Sequence, residues 1–158
     1  MLLFYYNGPQ GSVGDTMGDL FQLARFVDAQ DEVYEAVQAE LARGKKTSHW
    51  MWFVFPQLKG LGFSSTAQYF GIDSRAEAHG YWIHPVLGPR LKECTELVLA
   101  VRGKTAREIF GTPDDLKFRS SMTLFAAVAP EEEVFQKALA KYYGGTGDSK
   151  TIALLSAP

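Results

Sequence analysis

Residues 114–125 read DDLKFRSSMTLF and directly follow Pro113. A proline followed by two acidic residues is typical of a helix start, because carboxylates stabilise the positive end of the helix dipole. The later turns of this stretch are apolar on nearly every side, which indicates a helix surrounded by other elements. The stretch therefore predicts a buried helix inside a helical domain.

Other helix starts are predicted on both sides of this stretch. Ser74 with Glu77, and Thr105 with Glu108, match the capping box, in which a hydroxyl and a carboxylate bind each other's unpaired amides. Between residues 19 and 43, apolar residues recur at spacings of three, four or seven, which predicts amphipathic helix with a break near residue 31.

Prolines, glycines and short apolar runs predict the remaining elements. Pro89 and Pro130 suit first helical positions, and residues 65–70 and 149–155 form short helical segments. Together these patterns predict an all-α fold, a single compact multi-helix domain of about eight short helices. We expect this domain to span residues 17–158, with residues 1–16 as a peripheral or disordered N-terminal extension.

The composition of the 158-residue chain is that of an ordinary globular protein, with 46% apolar and 22% charged residues. Its net charge of −2 offers no general attraction for nucleic acid, so no nucleic-acid partner is expected. The chain contains one cysteine, Cys94, which cannot form an intramolecular disulfide. We therefore expect a cytoplasmic protein.

Several kinds of site have no motif in this sequence. No apolar run reaches the roughly 18 residues of a transmembrane helix, so no membrane association is expected. No dinucleotide-binding or phosphate-binding loop is present, and the three histidines lack metal-ligand spacing. We expect neither a cofactor nor a metal, and the sequence does not determine the oligomeric state.

Residues 44–57, GKKTSHWMWFVFPQ, place basic and polar residues around an intensely aromatic run. Small-molecule pockets are often built in this way, from an apolar wall with a few polar groups at its edge. The alternative is that the rings fill the core and the lysines complement a helix end. The candidate ligand-binding residues of this segment are Lys46, Trp50, Trp52 and Gln57.

The buried helix of residues 114–125 supplies a second set of candidates. On a helix, Asp114, Lys117 and Ser121 share one face. With Ser120 and Thr123, these polar groups must either be satisfied internally or point at a ligand. The alternative is an ion pair of Asp114 with Lys117, and hydroxyls that bond back to the helix backbone. Arg90 is a further candidate, since it could form an anion site with His84 or simply mark a helix boundary.

The chain resembles domain-of-unknown-function family 1810, a small family of bacterial proteins, over roughly residues 19–155. The resemblance rests on residues 25–30 (RFVDAQ), 48–57 (SHWMWFVFPQ), 60–62 (GLG), 84–91 (HPVLGPRL) and 117–125 (KFRSSMTLF). It implies a compact all-helical fold and no established activity.

Two functions remain open. The first is a pocket for a small anionic, nucleotide-like metabolite, with Trp50 or Trp52 stacking on a ring and Lys46, Arg90 or Lys117 holding phosphate. The second is a non-catalytic protein-interaction module whose aromatic run lies in an interface.

If the protein is an enzyme, hydrolysis of an N-glycosidic bond in an ADP-ribose-like compound is the reaction to test, by analogy with small helical NAD-related enzymes. In that scheme Asp28, Asp114 or Asp115 would stabilise positive charge on the sugar, and His49 would move a proton. The candidate catalytic residues are thus His49, Asp28 and Asp115.

Overall fold

The computed structural model describes residues 20–157. Ten helices lie within this part of the chain: α1 (Ala24–Asp31), α2 (Tyr34–Ala42), α3 (Met51–Val54), α4 (Ser65–Phe70), α5 (Arg75–Ile83), α6 (Leu87–Ala100), α7 (Ala106–Phe110), α8 (Asp114–Val128), α9 (Val134–Tyr143) and α10 (Ser149–Ser156). The described residues contain no β-strand, only a single bridge between Leu58 and Ile72. The predicted all-α fold is confirmed.

Helix α8 is the centre of the packing, as its apolar turns predict. It contacts α5, α7, α9 and α10, and its residues Phe118, Met122 and Phe125 are fully buried. The ring of Phe118 stacks on Phe110 of α7 at 4.7 Å between centroids and meets the edge of Phe55 at 4.9 Å. Because Phe55 directly follows α3, this aromatic cluster ties the residues 50–57 to the central helix.

A buried amide joins the first helices to the rest of the core. Gln30 of α1 is 1% exposed, and its Nε2 donates to the Phe53 carbonyl at 2.7 Å and to the Tyr81 hydroxyl at 2.9 Å. Its Oε1 accepts from Arg90 Nη1 at 3.3 Å. Every polar atom of this side chain is therefore paired, and the amide links α1 to α3, α5 and α6.

The helix starts predicted at Ser74 and Thr105 are both correct, but only one of them has the complete capping box. Thr105 and Glu108 form the complete capping box. Ser74 accepts from the Glu77 amide at 3.0 Å, but the Glu77 carboxylate binds Arg25 at 2.7 Å instead of closing the box. The break predicted near residue 31 is present, because α1 ends at Asp31 and α2 begins at Tyr34.

Two prolines do not occupy the first helical position. Helix α6 begins two residues before Pro89, because His84 Nδ1 accepts from the amides of Val86 and Leu87 and caps the helix there. The helix expected at Pro130 begins only at Val134, after a turn that contains the three glutamates. Residues 20–157 contain ten helices where about eight were expected. The short α3 is one that the sequence did not mark, because it has no capping motif.

Some expectations concern features outside these helices. The predicted boundary of the N-terminal extension at residue 16 lies outside the described residues. No helix of residues 20–157 combines the length and the apolar character needed to span a membrane.

We expect Phe118→Ala to destabilise the protein by roughly 3–5 kcal/mol, because it leaves a cavity in the aromatic cluster. The melting temperature should fall by roughly 2–4 °C for each kcal/mol, as measured by thermal unfolding. Phe63→Ala is the matched control, since the Phe63 side chain is 83% exposed and its removal should change stability by less than about 0.5 kcal/mol. Equal effects of the two substitutions would contradict this description of the core.

Candidate functional site

A buried carboxylate organises the loop that leads into α3. Glu40 of α2 is 4% exposed, and its Oε1 accepts from the amide of Thr47 at 2.8 Å and from Trp50 Nε1 at 2.9 Å. The amide and the hydroxyl of Ser48 also donate to this carboxylate. Residues 47–50 are therefore fastened to α2 by one charged group.

The same contacts determine the ionisation of Glu40. Burial alone would raise the pKa of this carboxyl, but the hydrogen bonds from Ser48, Thr47 and Trp50 outweigh burial and lower the pKa from its ordinary 4.5 to about 2. Glu40 is thus ionised at neutral pH although it lies in the interior.

A second carboxylate holds two lysines together. Asp114, the first residue of α8, lies 2.8 Å from Lys46 Nζ through Oδ2 and 3.6 Å from Lys117 Nζ through Oδ1. The Lys46 side chain is 7% exposed, and its ammonium also donates to the Ser48 carbonyl at 2.6 Å. Lys117 is 25% exposed, and its ammonium lies 5.0 Å from the centre of the Trp52 ring. Lys46 is therefore the firmly held cation and Lys117 the more accessible one.

Lys117 and Trp52 both line an open groove of about 430 Å³. Three separate parts of the chain form its walls: residues 52–67, residues 113–120 at the start of α8, and the residues that begin α10. The lining residues are Trp52, Gln57, Leu61, Gly62, Phe63, Ser64, Ala67, Pro113, Leu116, Lys117, Ser120, Asp148 and Lys150.

A small hollow of about 10 Å³ adjoins the groove and shares Trp52, Gln57, Ala67 and Lys117 with it. Its remaining lining is mostly apolar and comes from Met51, Phe55, Phe70 and Gly71. A space of this size holds about one water molecule. The four shared residues are half-buried, whereas Phe63, Leu116 and Lys150, which line the groove alone, are exposed. We therefore call the first set the floor of the groove and the second set its mouth.

The charges that line the groove are unevenly available to a ligand. Lys150 is exposed, and the contact of Lys117 with the Asp114 carboxylate is long, at 3.6 Å. The Asp148 carboxylate is already engaged, because its Oδ2 accepts from the amide of Thr151 at 2.9 Å and from the Thr151 hydroxyl at 2.7 Å. The groove thus combines an apolar surface with two available ammonium groups.

The structure brings together four of the candidate ligand-binding residues. Trp52, Gln57, Lys117 and Ser120 line the groove. Lys46 does not line it, but it reaches Lys117 through the Asp114 carboxylate. The Ser120 hydroxyl donates to the Leu116 carbonyl at 3.2 Å, so the expected bond back to the helix is present for this residue.

Four other candidate ligand-binding residues lie away from the groove. Trp50 is 1% exposed and belongs to the core, as the alternative interpretation of the aromatic run held. Arg90 pairs with Asp31 at 2.9 Å, with its guanidinium over the Tyr34 ring. Ser121 is fully buried, and its hydroxyl has no hydrogen-bond partner within residues 20–157.

Thr123 has a structural role. Its hydroxyl donates to the Arg119 carbonyl at 2.7 Å and accepts from the Asp148 amide at 2.9 Å. The second bond connects α8 to the residue that caps α10, and so Thr123 positions one side of the groove without lining it.

None of the three candidate catalytic residues lines the groove. His49 and Asp28 are exposed, on the loop before α3 and on α1 respectively. Asp115 is half-buried; its Oδ1 has no hydrogen-bond partner among the described residues, and its carbonyl accepts from the Tyr143 hydroxyl. Asp115 lies on α8, so the three residues belong to three different parts of the chain.

Four residues that line the groove or hold the loop before α3 are absent from the candidates predicted from the sequence. Phe63 and Leu116 are 83% and 55% exposed at the groove, and Lys150 lines it at the start of α10. Phe63 could have been noticed from the sequence, because it is a phenylalanine inside the loop sequence GFSS, residues 62–65. Glu40 could also have been noticed, because it lies three residues after the buried Val37, on the apolar side of its helix.

Among residues 20–157 the structure contains no group of three or more His, Cys, Asp or Glu side chains arranged to hold a metal ion. The groove itself carries a single carboxylate, that of Asp148. The other polar groups that line it are ammonium, amide and hydroxyl groups, next to the aromatic rings of Trp52 and Phe63.

The fold and the groove define the class of this molecule: a single-domain, all-α protein with an apolar groove edged by lysines. The family model described as "Protein of unknown function (DUF1810)" matches residues 20–155. The chain belongs to this family.

A solved structure supports the same assignment. The conserved hypothetical protein Rv1873 from Mycobacterium tuberculosis is 56% identical to this chain, with a TM-score of 0.87, and the match covers 89% of this chain and 100% of that one. A comparison with curated proteins found no match. The relatives therefore establish the family and the fold, and the groove must be interpreted from its own geometry.

The lowered pKa of Glu40 predicts a specific acid sensitivity. In the unfolded chain this carboxyl takes up its proton near pH 4.5, and in the folded protein only near pH 2, so its stabilising contribution is lost as the pH falls through this window. A shift of this size corresponds to a loss on the order of 3 kcal/mol, measurable by urea unfolding at a series of pH values.

Glu40→Gln should remove this part of the pH dependence and lower stability at pH 7, because an amide cannot accept all four hydrogen bonds. Glu35→Gln is the matched control, since Glu35 is an exposed residue on the same helix and its replacement should leave the loss of stability at acid pH unchanged. The same loss of stability at acid pH in Glu40→Gln as in the wild type would show that the buried carboxylate does not control it.

Proposed function

We propose that this protein binds a small anionic, nucleotide-like metabolite in the groove between α3, α4, α8 and α10. The observation that carries the proposal is the placement of Lys117 beside Trp52 on the groove floor, with 5.0 Å between the ammonium and the ring centre. A ligand that carries both a planar ring and an anionic group can contact both side chains.

The two lysines differ in their contacts with Asp114, and this difference supports the proposal. Lys46 lies 2.8 Å from Asp114 and is almost fully buried, so it largely satisfies that carboxylate. Lys117 is at 3.6 Å from the same carboxylate and keeps an attractive charge for a ligand. An anionic group would draw the Lys117 ammonium away from the Trp52 ring, and this movement leaves the ring face to the ligand.

The other polar groups of the groove suit the same ligand. The Gln57 side chain offers both a donor and an acceptor on the floor, as recognition of a base or sugar requires. Lys150 adds a second ammonium at the edge, and the apolar lining excludes water from the ring.

A second function is favoured by a different observation. Phe63 and Leu116 expose large apolar surfaces at the mouth of the groove, which is also typical of protein interfaces. A non-catalytic interaction module would use these two residues as its anchors. The concave floor with Lys117 and Trp52 favours the small ligand, because a flat protein surface would not reach it.

Hydrolysis of an N-glycosidic bond by His49, Asp28 and Asp115 stays a prediction without support from the groove. Assays of ADP-ribose-like compounds with His49→Ala, Asp28→Asn and Asp115→Asn would test it. Turnover that survives all three substitutions would remove these residues from the mechanism, and turnover lost in one of them would show a reaction outside the groove.

The binding proposal is tested by thermal unfolding in the presence of nucleotides, NAD, ADP-ribose and sugar phosphates. A ligand at about 100 times its dissociation constant adds about 2.7 kcal/mol of stability, which for a chain of this size is a rise of several degrees. Trp52→Ala and Lys117→Ala should abolish the rise.

Lys137→Ala is the control for Lys117→Ala, because Lys137 is an exposed lysine that pairs with Glu133 outside the groove. The control variant should keep the full shift. Absence of any shift across the panel would overturn the small-ligand proposal in favour of the interaction module, for which pull-down experiments with Phe63→Ala are the next measurement.

A further inference from the structure

We propose that Phe63 closes over the mouth of the groove and covers the planar ring of a ligand that carries one ring and one phosphate group. This inference rests on the proposed binding function and narrows it in two ways. It names the residue that completes the site, and it limits the ligand to the size of a mononucleotide.

The exposure of Phe63 is the first observation. Its side chain is 83% exposed, although the other phenylalanines of residues 53–135 are half-buried or buried. An exposed phenyl ring forfeits the free energy that burial of such a side chain provides. A ligand ring in the groove would recover this free energy, because Phe63 lines the groove directly.

The loop around Phe63 is fixed where it meets the groove. Lys59 donates its amide to the Ile72 carbonyl at 2.8 Å, and Ser64 caps α4 by accepting from the Ala67 amide at 3.1 Å. Gly62 lies so close to the helix that an added Cβ would be 2.8 Å from the Ala67 Cβ. The backbone beside Phe63 is therefore held against the groove wall, so the proposed closure is a rotation of the Phe63 side chain and not a movement of the loop.

Trp52 is half-buried on the floor of the groove, and Phe63 is exposed at its mouth. Trp52 belongs both to the hollow and to the adjoining groove, whereas Phe63 lines the groove alone. A planar ring that enters the groove would therefore have the indole beneath it and the phenyl ring above it. Stacking on aromatic side chains is a general way of holding a base, since every base has a π-face.

Size and charge limit the ligand. The groove volume of about 430 Å³ is near the lower end of the roughly 300–1,000 Å³ typical of small-molecule sites. Its lining offers two ammonium groups, from Lys117 and Lys150, and includes no arginine. These features suit one ring with one phosphate better than a dinucleotide with two rings and a diphosphate.

The test compares a probe that carries a planar base with a probe that lacks it. Calorimetric titration of the wild-type protein with adenosine monophosphate and with ribose 5-phosphate measures the contribution of the ring. In Phe63→Ala the affinity for adenosine monophosphate should fall about tenfold, and the affinity for ribose 5-phosphate should stay unchanged. Ile83→Ala is the control, because Ile83 is 64% exposed and does not line the groove.

A second variant measures closure directly. The wild-type protein already contains three tryptophans, Trp52 in the groove among them, so its own quenching is the reference. In Phe63→Trp, the acrylamide quenching gained over the wild-type protein should be large in the free protein and should be lost when adenosine monophosphate is bound. Ile83→Trp places an exposed indole away from the groove, and the quenching it adds over the wild-type protein should not respond to the nucleotide. Protection at both positions, or at neither, would contradict closure by residue 63.

The outcomes separate the two proposals. A wild-type protein that binds none of the probes overturns both. Binding that depends on Lys117 but is unaffected by Phe63→Ala overturns only the proposed closure of Phe63 over the ligand. Equal losses for both probes in Phe63→Ala would show that Phe63 does not act on the ring, and tighter binding of NAD than of adenosine monophosphate would overturn the limit on ligand size.

Discussion

The carboxylate of Glu40 is the constraint on which this structure depends. A charge in the interior is costly unless its hydrogen-bond capacity is filled, and here the donors come from Thr47, Ser48 and Trp50. The loop must therefore turn so that these groups converge on α2. That turn also fixes the start of α3, and hence the position of Trp52 on the floor of the groove.

The groove is a product of tertiary structure. Its floor comes from residues 52–67 and from Lys117 of α8, and its second ammonium group comes from Lys150 of α10. These parts are far apart in the chain. The Asp114 carboxylate joins the loop of Lys46 to the start of α8, and Thr123 joins α8 to the cap of α10. Polar contacts at the edge of the aromatic core thus hold the ligand-facing residues at their mutual distances.

The sequence predicted those parts of the structure that depend on local chemistry. Helical periodicity identified the buried α8, and the Thr105–Glu108 capping box marked the start of α7. The start of α6 was misplaced because His84 supplies its cap from outside any familiar motif. Within the site, Trp52 and Trp50 are neighbours of the same type, and only their packing shows that one faces the groove while the other fills the core.

The unequal burial of the two lysines around Asp114 has a consequence for how the groove responds to salt. The contact of Lys46 with Asp114 is shielded from solvent by its surroundings, whereas that of Lys117 is open to mobile ions. Screening acts over about 8 Å at physiological ionic strength and weakens exposed charge pairs far more than buried ones. Added salt therefore leaves the scaffold of the site intact while it reduces the attraction that the groove exerts on an anion.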